Sequence, residues 1–281
     1  MGKNNSPFVS RRPFDSLRYK FSRITVSITL VVLFFAISIS YLWGHRLLSS
    51  VILSNSQSIT EILSFSLVQG LKEKCIDFQA YAKDVRILRA IQAANAFTQA
   101  MSISMREQYI LDIDQQWISS SADSSLVQEY LLRDASEYLR YFTSKDDVLS
   151  EIFLTDQFGC LVATTDKTTD FYQADETWWK DSYNGGAGRV VIGDVEWNDA
   201  SQEWVIPVSV PVRDKSNAVI GILKASIAVD RYFISLSQMR FGESGHVLIL
   251  NDKGQVVFYE KSLSGQYQIP EGSEFFKSVS A

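Results

Sequence analysis

Ile24 to Trp43 reads ITVSITLVVLFFAISISYLW, 20 residues without a charged side chain. At about 1.5 Å of rise per residue this run covers the roughly 30 Å hydrocarbon core of a bilayer. A lone segment in hydrocarbon must pair its own backbone groups, so the run is constrained to a helix. Its Ser and Thr hydroxyls can bond back to the preceding turn and do not disqualify it. Tyr41 and Trp43 stand at one end, where interfacial aromatics belong. Six basic residues and one acid, Asp15, precede Ile24, which puts the N-terminus in the cytosol and residues 45–281 outside the cell membrane. A cleaved signal peptide is the rival reading, disfavoured by the length of the apolar run and by the lack of a clear small-x-small site after it.

Charge narrows the function classes. Beyond Arg46, 20 Lys and Arg stand against 31 Asp and Glu, a net of −11. A body that acidic is a poor match for nucleic acid, whose phosphates need clustered cations. The basic N-terminus is explained by the lipid bilayer. The two cysteines, Cys75 and Cys160, read as small buried hydrophobes rather than a disulfide. Only two histidines occur, His45 and His246. No serine sits in G-x-S-x-G, no Cys and His cluster at zinc spacing, and GGAG (185–188) lacks the features of a phosphate loop. The chain therefore reads as binding without chemistry, with no cofactor and no metal. A larger protein carrying a C-terminal kinase, cyclase or phosphatase domain stays open.

The period of the apolar pattern divides the rest. Residues 1–23 read as a cytosolic tail interrupted by Pro7 and Pro13, and 24–44 as the membrane helix. Ile59, Leu63, Leu67, Leu71, Cys75, Phe78, Ala82, Val85 and Ile91 recur at helical spacing. They predict one nearly continuous stalk helix to about Ala94, with a seam wide enough for a domain and for a second copy in a homodimer. Helices are expected at 106–118 and 126–142, within a helical lead-in spanning 45–145. From Glu151 the pattern becomes short β-rich runs, with strands expected at 189–195, 204–211 and 219–229 and a short helix at 229–240. EIFLTDQFGCLVAT (151–164) and HVLILNDKGQVVFY (246–259) are both strand, polar turn with glycine, strand, and Gly159 aligns with Gly254 at an offset of 95 residues. Two modules of one design follow, at 146–235 and, incomplete, at 236–281. No second apolar span appears before Ala281, so the chain reads as a fragment of something longer.

The densest functional signal is DFYQADETWWKDSYNGGAGRVVIG (170–193), which sets aromatics among carboxylates, as a small-molecule pocket requires. Neighbouring helical positions diverge by about 100°, so one of Trp178 and Trp179 can line a cavity while the other packs inward. Asp175 and Glu176 are placed either to cap that helix or to meet a ligand. Tyr172 and Tyr183 can present hydroxyls to the same cavity. Lys224 and Ser226 lie on a later strand. Glu196, Trp197 and Trp204 flank a turn and read as cross-strand pairs.

D-x-x-x-A-D-E-x-W-W (170–179), V-x-I-G-D-V (190–195), V-P-V-x-D (210–214) and V-I-G-I-L-K-A (219–225), in that order, resemble the double Cache family of extracellular sensor domains. The resemblance is strong over about 151–260 and weaker over the helical lead-in. It implies an α+β fold in which an N-terminal transmembrane helix and long stalk helix carry two PAS-like antiparallel-sheet lobes. It also implies that Lys224 and Ser226 lie on a strand that closes the pocket of the membrane-distal lobe, and that the chain is the sensing region of a homodimeric bacterial signalling receptor. A histidine kinase is favoured, and a chemoreceptor, cyclase or phosphatase remains open. The amino-acid-binding subgroup carries an Arg where this chain has Glu176, a Tyr where it has Phe171, and an Asp where it has Ser226. Amino-acid binding is therefore not expected. The acidic cluster points instead to a cationic or polyhydroxyl ligand, or a metal ion. Two further readings are a membrane-anchored binding module without cytosolic output and a membrane-tethered enzyme.

Overall fold

A computed structural model describes residues 13–234, 248–250 and 256–259. The chain divides into two units, 1–70 and 71–281. Helix α1 (Pro13–Tyr81) begins in the first and ends in the second, and it contains the one described segment long and apolar enough to cross a bilayer, with a mean hydropathy of 2.2 over its most apolar stretch. None of that stretch is buried, which separates it from the core helix of a soluble domain. Thr25 and Thr29 donate their hydroxyls to the carbonyls of Phe21 and Thr25 at 3.0 and 2.9 Å, so these two polar side chains are satisfied within the helix. Pro13 opens α1 rather than interrupting it, since a first-turn proline lacks only a donor that has no partner there.

The stalk does not run unbroken to Ala94. α1 stops at Tyr81, and α2 (Val85–Gln99) starts after Asp84, whose extended backbone (φ −64°, ψ 142°) places its carboxylate to accept from the Arg86 N–H at 2.8 Å. The apolar period continues through this break, which hides it in the sequence. After α3 (Ile103–Ser119), the expected helix at 126–142 is two helices, α4 (Ser125–Leu131) and α5 (Asp134–Lys145). Side chains take over the carbonyls freed at the break. Ser136 Oγ donates to the Tyr130 carbonyl at 2.6 Å, and Arg140 donates to that of Leu131.

β1 (Leu149–Asp156) and β2 (Leu161–Thr164) form the first hairpin, followed by α6 (Thr177–Tyr183). β3 (Val191–Ile192), β4 (Glu196–Asn198), β5 (Glu203–Arg213) and β6 (Val219–Ala228) complete an antiparallel sheet of six strands. Its order is β2-β1-β6-β5-β3, with β4 also paired to β5. The expected strand at 189–195 shrinks to β3, and β4 lies just beyond it. β1 and β6 are buried on both faces. α2 and α5 pack on β1, and α6 packs on β5 and β6. Gly159 holds φ +85° in the turn of the first hairpin, where an added Cβ would stand 2.4 Å from Ala174 Cβ. The fold is α+β, as the resemblance implies.

α7 (Val229–Tyr232) follows β6, and β7 (Leu248–Leu250) pairs antiparallel with β8 (Val256–Tyr259). The second hairpin repeats the first residue for residue. Phe153↔Thr164, Leu154↔Ala163 and Thr155↔Leu161 become Leu248↔Tyr259, Ile249↔Phe258 and Leu250↔Val256, each shifted by 95 residues, with the register slip at the same step. Gly254, the tail before Pro13, the rest of the expected 229–240 helix and most of the second module lie outside the described residues.

Candidate functional site

Side chains alternate along a strand, so Glu151, Phe153 and Thr155 of β1 share one face with their β6 partners Ser226, Lys224 and Ile222. α6 and the β4–β5 hairpin lie over this face. Between them is a cavity of about 200 Å³, with Phe153, Trp178 and Trp197 as aromatic walls and Glu151, Glu176, Glu196, Asp199 and Lys224 as its charged groups.

Glu151 is only 4% exposed, and burial pushes its carboxyl up to about 7 against the opposing pull of the Asn198 hydrogen bond and the Lys224 charge. Its Oε2 accepts from Asn198 Nδ2 at 3.2 Å, while Oε1 finds no hydrogen-bond partner among the described residues. Asn198 is itself fixed, because its Oδ1 accepts from the N–H groups of Ala200 and Ser201 at 2.8 and 3.2 Å and so closes the turn after β4. Lys224 Nζ lies 4.8 Å from the Trp178 ring centre, 5.7 Å from that of Phe153 and 3.4 Å from Glu196 Oε1.

The predicted residues separate. Trp178 and Lys224 line the cavity together with Glu176. Trp179 packs into a buried cluster with Val219 and Ile222, donates to Thr155 Oγ1 at 2.9 Å and stacks on Tyr183 at 4.7 Å. Tyr172 is half-buried and pairs as a lone β-bridge with Cys160. Trp179, Tyr183, Tyr172 and Asp175 lie outside the cavity lining. The capping expectation is corrected. Glu176 occupies the N-cap position of α6 with no side-chain cap bond, and the Asp175 backbone carbonyl accepts from Lys180 while its carboxylate stays exposed. Asp175 and Glu176 gather with Asp170, their carboxylate oxygens within 4.8 Å of one another. Burial, then Asp114, Glu176 and Asp175, push Asp170 up to about 6. Ser226 is buried at 1% exposure, opposite Glu151 in the strand register, and its Oγ has no partner among the described residues. Trp197 and Trp204 pair across strands edge to face at 5.7 Å. Cys75 and Cys160 are both free and buried, and burial raises both thiols.

A larger cavity of about 470 Å³ is lined by α2, α3 and α4, with Arg133 and Asp156 among its walls. Its charged groups are already engaged. Arg133 donates to the Val162 carbonyl and to Glu129, and Asp156 accepts from Thr98, Phe158 and Cys160. The smaller cavity, with an unpartnered buried carboxylate oxygen on its floor, is the stronger candidate for recognition.

A family model described as a Cache domain matches residues 85–280. The chain belongs to the Cache family. Similar solved structures include the ligand-binding domain of the Campylobacter jejuni chemoreceptor Tlp3 in complex with 4-methylisoleucine, at 12% identity over 67% of this chain and 78% of that one, with a TM-score of 0.39. The ligand-binding domain of the Pseudomonas aeruginosa PAO1 amino acid chemoreceptor PctC with GABA follows at 13% identity, 62% and 73% coverage and a TM-score of 0.34. The sensor domain of the V. cholerae histidine kinase DctB follows at 14% identity, 61% and 66% coverage and a TM-score of 0.37. No curated protein matches the chain.

In this Cache domain the side chains that sequence reasoning missed are Glu151, Phe153 and Asn198. Glu151 left one signal: a carboxylate at the head of the run I-F-L, in a strand with no free face. Asn198 closes the turn after β4, and a turn asparagine gives no sign of where its remaining amide hydrogens go.

Proposed function

We propose that this Cache domain is the ligand-sensing region of a single-span membrane receptor, and that it takes a small molecule in the cavity between the sheet and α6 without reacting with it. The observation that carries the reading is the convergence of aromatic walls with Glu151, Asn198 and Lys224 around one cleft. The exposed apolar helix in α1 and the basic excess before it support a cytosolic N-terminus and an extracytosolic domain. In this reading 146–235 is the membrane-distal lobe and 236–281 the start of the membrane-proximal one. The receptor works as a homodimer, which the exposed Ile62, Phe65 and Val68 of α1 favour, and its output is a histidine kinase in preference to a chemoreceptor, cyclase or phosphatase. A ligand biases such a receptor only by its differential affinity for two states.

The test is thermal-shift screening of the full chain in detergent against small metabolites. A ligand at 100 times its Kd adds about 2.7 kcal/mol of stability and raises Tm. The Trp178→Ala chain should keep its fold and lose the shift. Hits that all survive this substitution would show the cavity assignment to be wrong.

A further inference from the structure

We propose that the larger cavity, lined by α2, α3 and α4, is a second ligand site that takes an uncharged, two-ring apolar molecule. It shares no lining residue with the cleft under α6. Asp156, on its wall, follows Thr155 in β1 and so faces the opposite side of the sheet. The two cavities are therefore separate, and this one stands whether or not the other binds a ligand.

The walls set the class. Phe97 and Tyr109 meet edge to face at 5.4 Å, and Tyr130 and Phe171 do so at 5.3 Å, so the lining offers aromatic faces and edges. Ala90, Ala93 and Ala94 put little bulk on the α2 side and leave the space open. The charged groups are committed elsewhere. Arg133 donates to the Val162 carbonyl at 2.9 Å and to Glu129 at 2.8 Å, and its guanidinium lies 3.6 Å over the Tyr130 ring. Asp156 Oδ1 accepts from the N–H groups of Phe158 and Cys160, each at 2.9 Å, and its Oδ2 accepts from Thr98 at 3.1 Å. The buried side-chain atoms left without a partner among the described residues belong to Ser150, Glu151, Ser201 and Ser226, none of which lines this cavity. A charged ligand would shed water here and meet no unengaged partner of opposite sign, which is costly. An anion would in addition meet Glu129 and Asp156. An uncharged ring sheds no such hydration and gains by covering apolar surface. Size narrows the class further. An apolar cavity of about 150 Å³ suffices for benzene, so about 470 Å³ leaves room for two fused rings.

The test is calorimetry on the full chain in detergent, with three probes that share one ring system: uncharged 2-naphthol, the anion 2-naphthoate and the cation 2-naphthylmethylammonium, all at neutral pH. Titration into detergent alone removes the heat of partitioning. 2-Naphthol should bind saturably, and both ions should bind more weakly by about tenfold or more. Ala94→Phe puts a ring into the space and should abolish binding. Ala93 is exposed on α2, where leucine is a good helix former, so Ala93→Leu keeps the site testable if the first variant fails to fold, and it should weaken 2-naphthol by about tenfold. Phe97→Ala removes a wall and should weaken it as well. An ion that binds as tightly as 2-naphthol and is lost in Ala93→Leu overturns the ligand class. Binding of 2-naphthol that is unchanged in both Ala93→Leu and Phe97→Ala, or that is lost only in Trp178→Ala, places the probe elsewhere and overturns the site. Absence of saturable binding overturns it too.

Discussion

Glu151 carries a consequence for stability. Its carboxyl is pushed from 4.5 up to about 7, chiefly by burial. The folded domain therefore holds a proton that the unfolded chain releases between those values. This stabilisation is complete below pH 4.5 and disappears as pH rises through about 7. Glu151→Gln should remove most of that slope and leave the variant more stable than the parent at pH 8, by on the order of 3 kcal/mol. Urea unfolding followed by tryptophan fluorescence at pH 5 and pH 8 measures it. Asp170, raised to about 6, should keep a shallower slope of the same sign in the variant. At this scale the sequence is informative where geometry is local. Trp178 and Trp179 diverge because adjacent helical residues must, and the structure sets one on the cavity and the other in the core. Glu151 was illegible because what makes it unusual, the cover supplied by α6 and the β4–β5 hairpin, comes from residues 25 or more positions away.

Between elements, the positions that define a turn are the most sensitive. Gly159→Ala should cost more than the roughly 1–2 kcal/mol of a left-handed alanine, because the new methyl would also strike Ala174. Gly185→Ala is the control: its φ is +60° but nothing lies within 4 Å, so only the conformational cost applies. Thermal denaturation of the two variants should rank them in that order. The hairpin glycine and the change from helical to strand period could be read directly from the chain. The breaks before α2 and α5 could not, since the apolar spacing runs through both and the deciding contacts are made by Asp84, Ser136 and Arg140. The register shared by β1–β2 and β7–β8 strengthens the case for a repeated module beyond what two similar strings of letters offer.

For the molecule as a whole, Leu33→Arg in the apolar run should disfavour insertion by about 2.5–3.5 kcal/mol. Membranes washed in alkaline carbonate should retain the parent chain and release a measurable share of the variant. The apolar helix and the acidic balance of the remainder were legible because they depend on composition alone. The division of labour inside the domain depends on strand order, which no local pattern encodes. That order gives the Asn198 amide an importance beyond its turn. One end of the amide ties the hairpin tip, and the other grips the carboxylate on the cavity floor. A guest in the cavity that displaced Asn198 from Glu151 Oε2 would slacken the tip first. The tip leads into β5, which is zipped to β6 almost end to end. Arrival of such a guest would then be felt as a tug along the spine of the sheet.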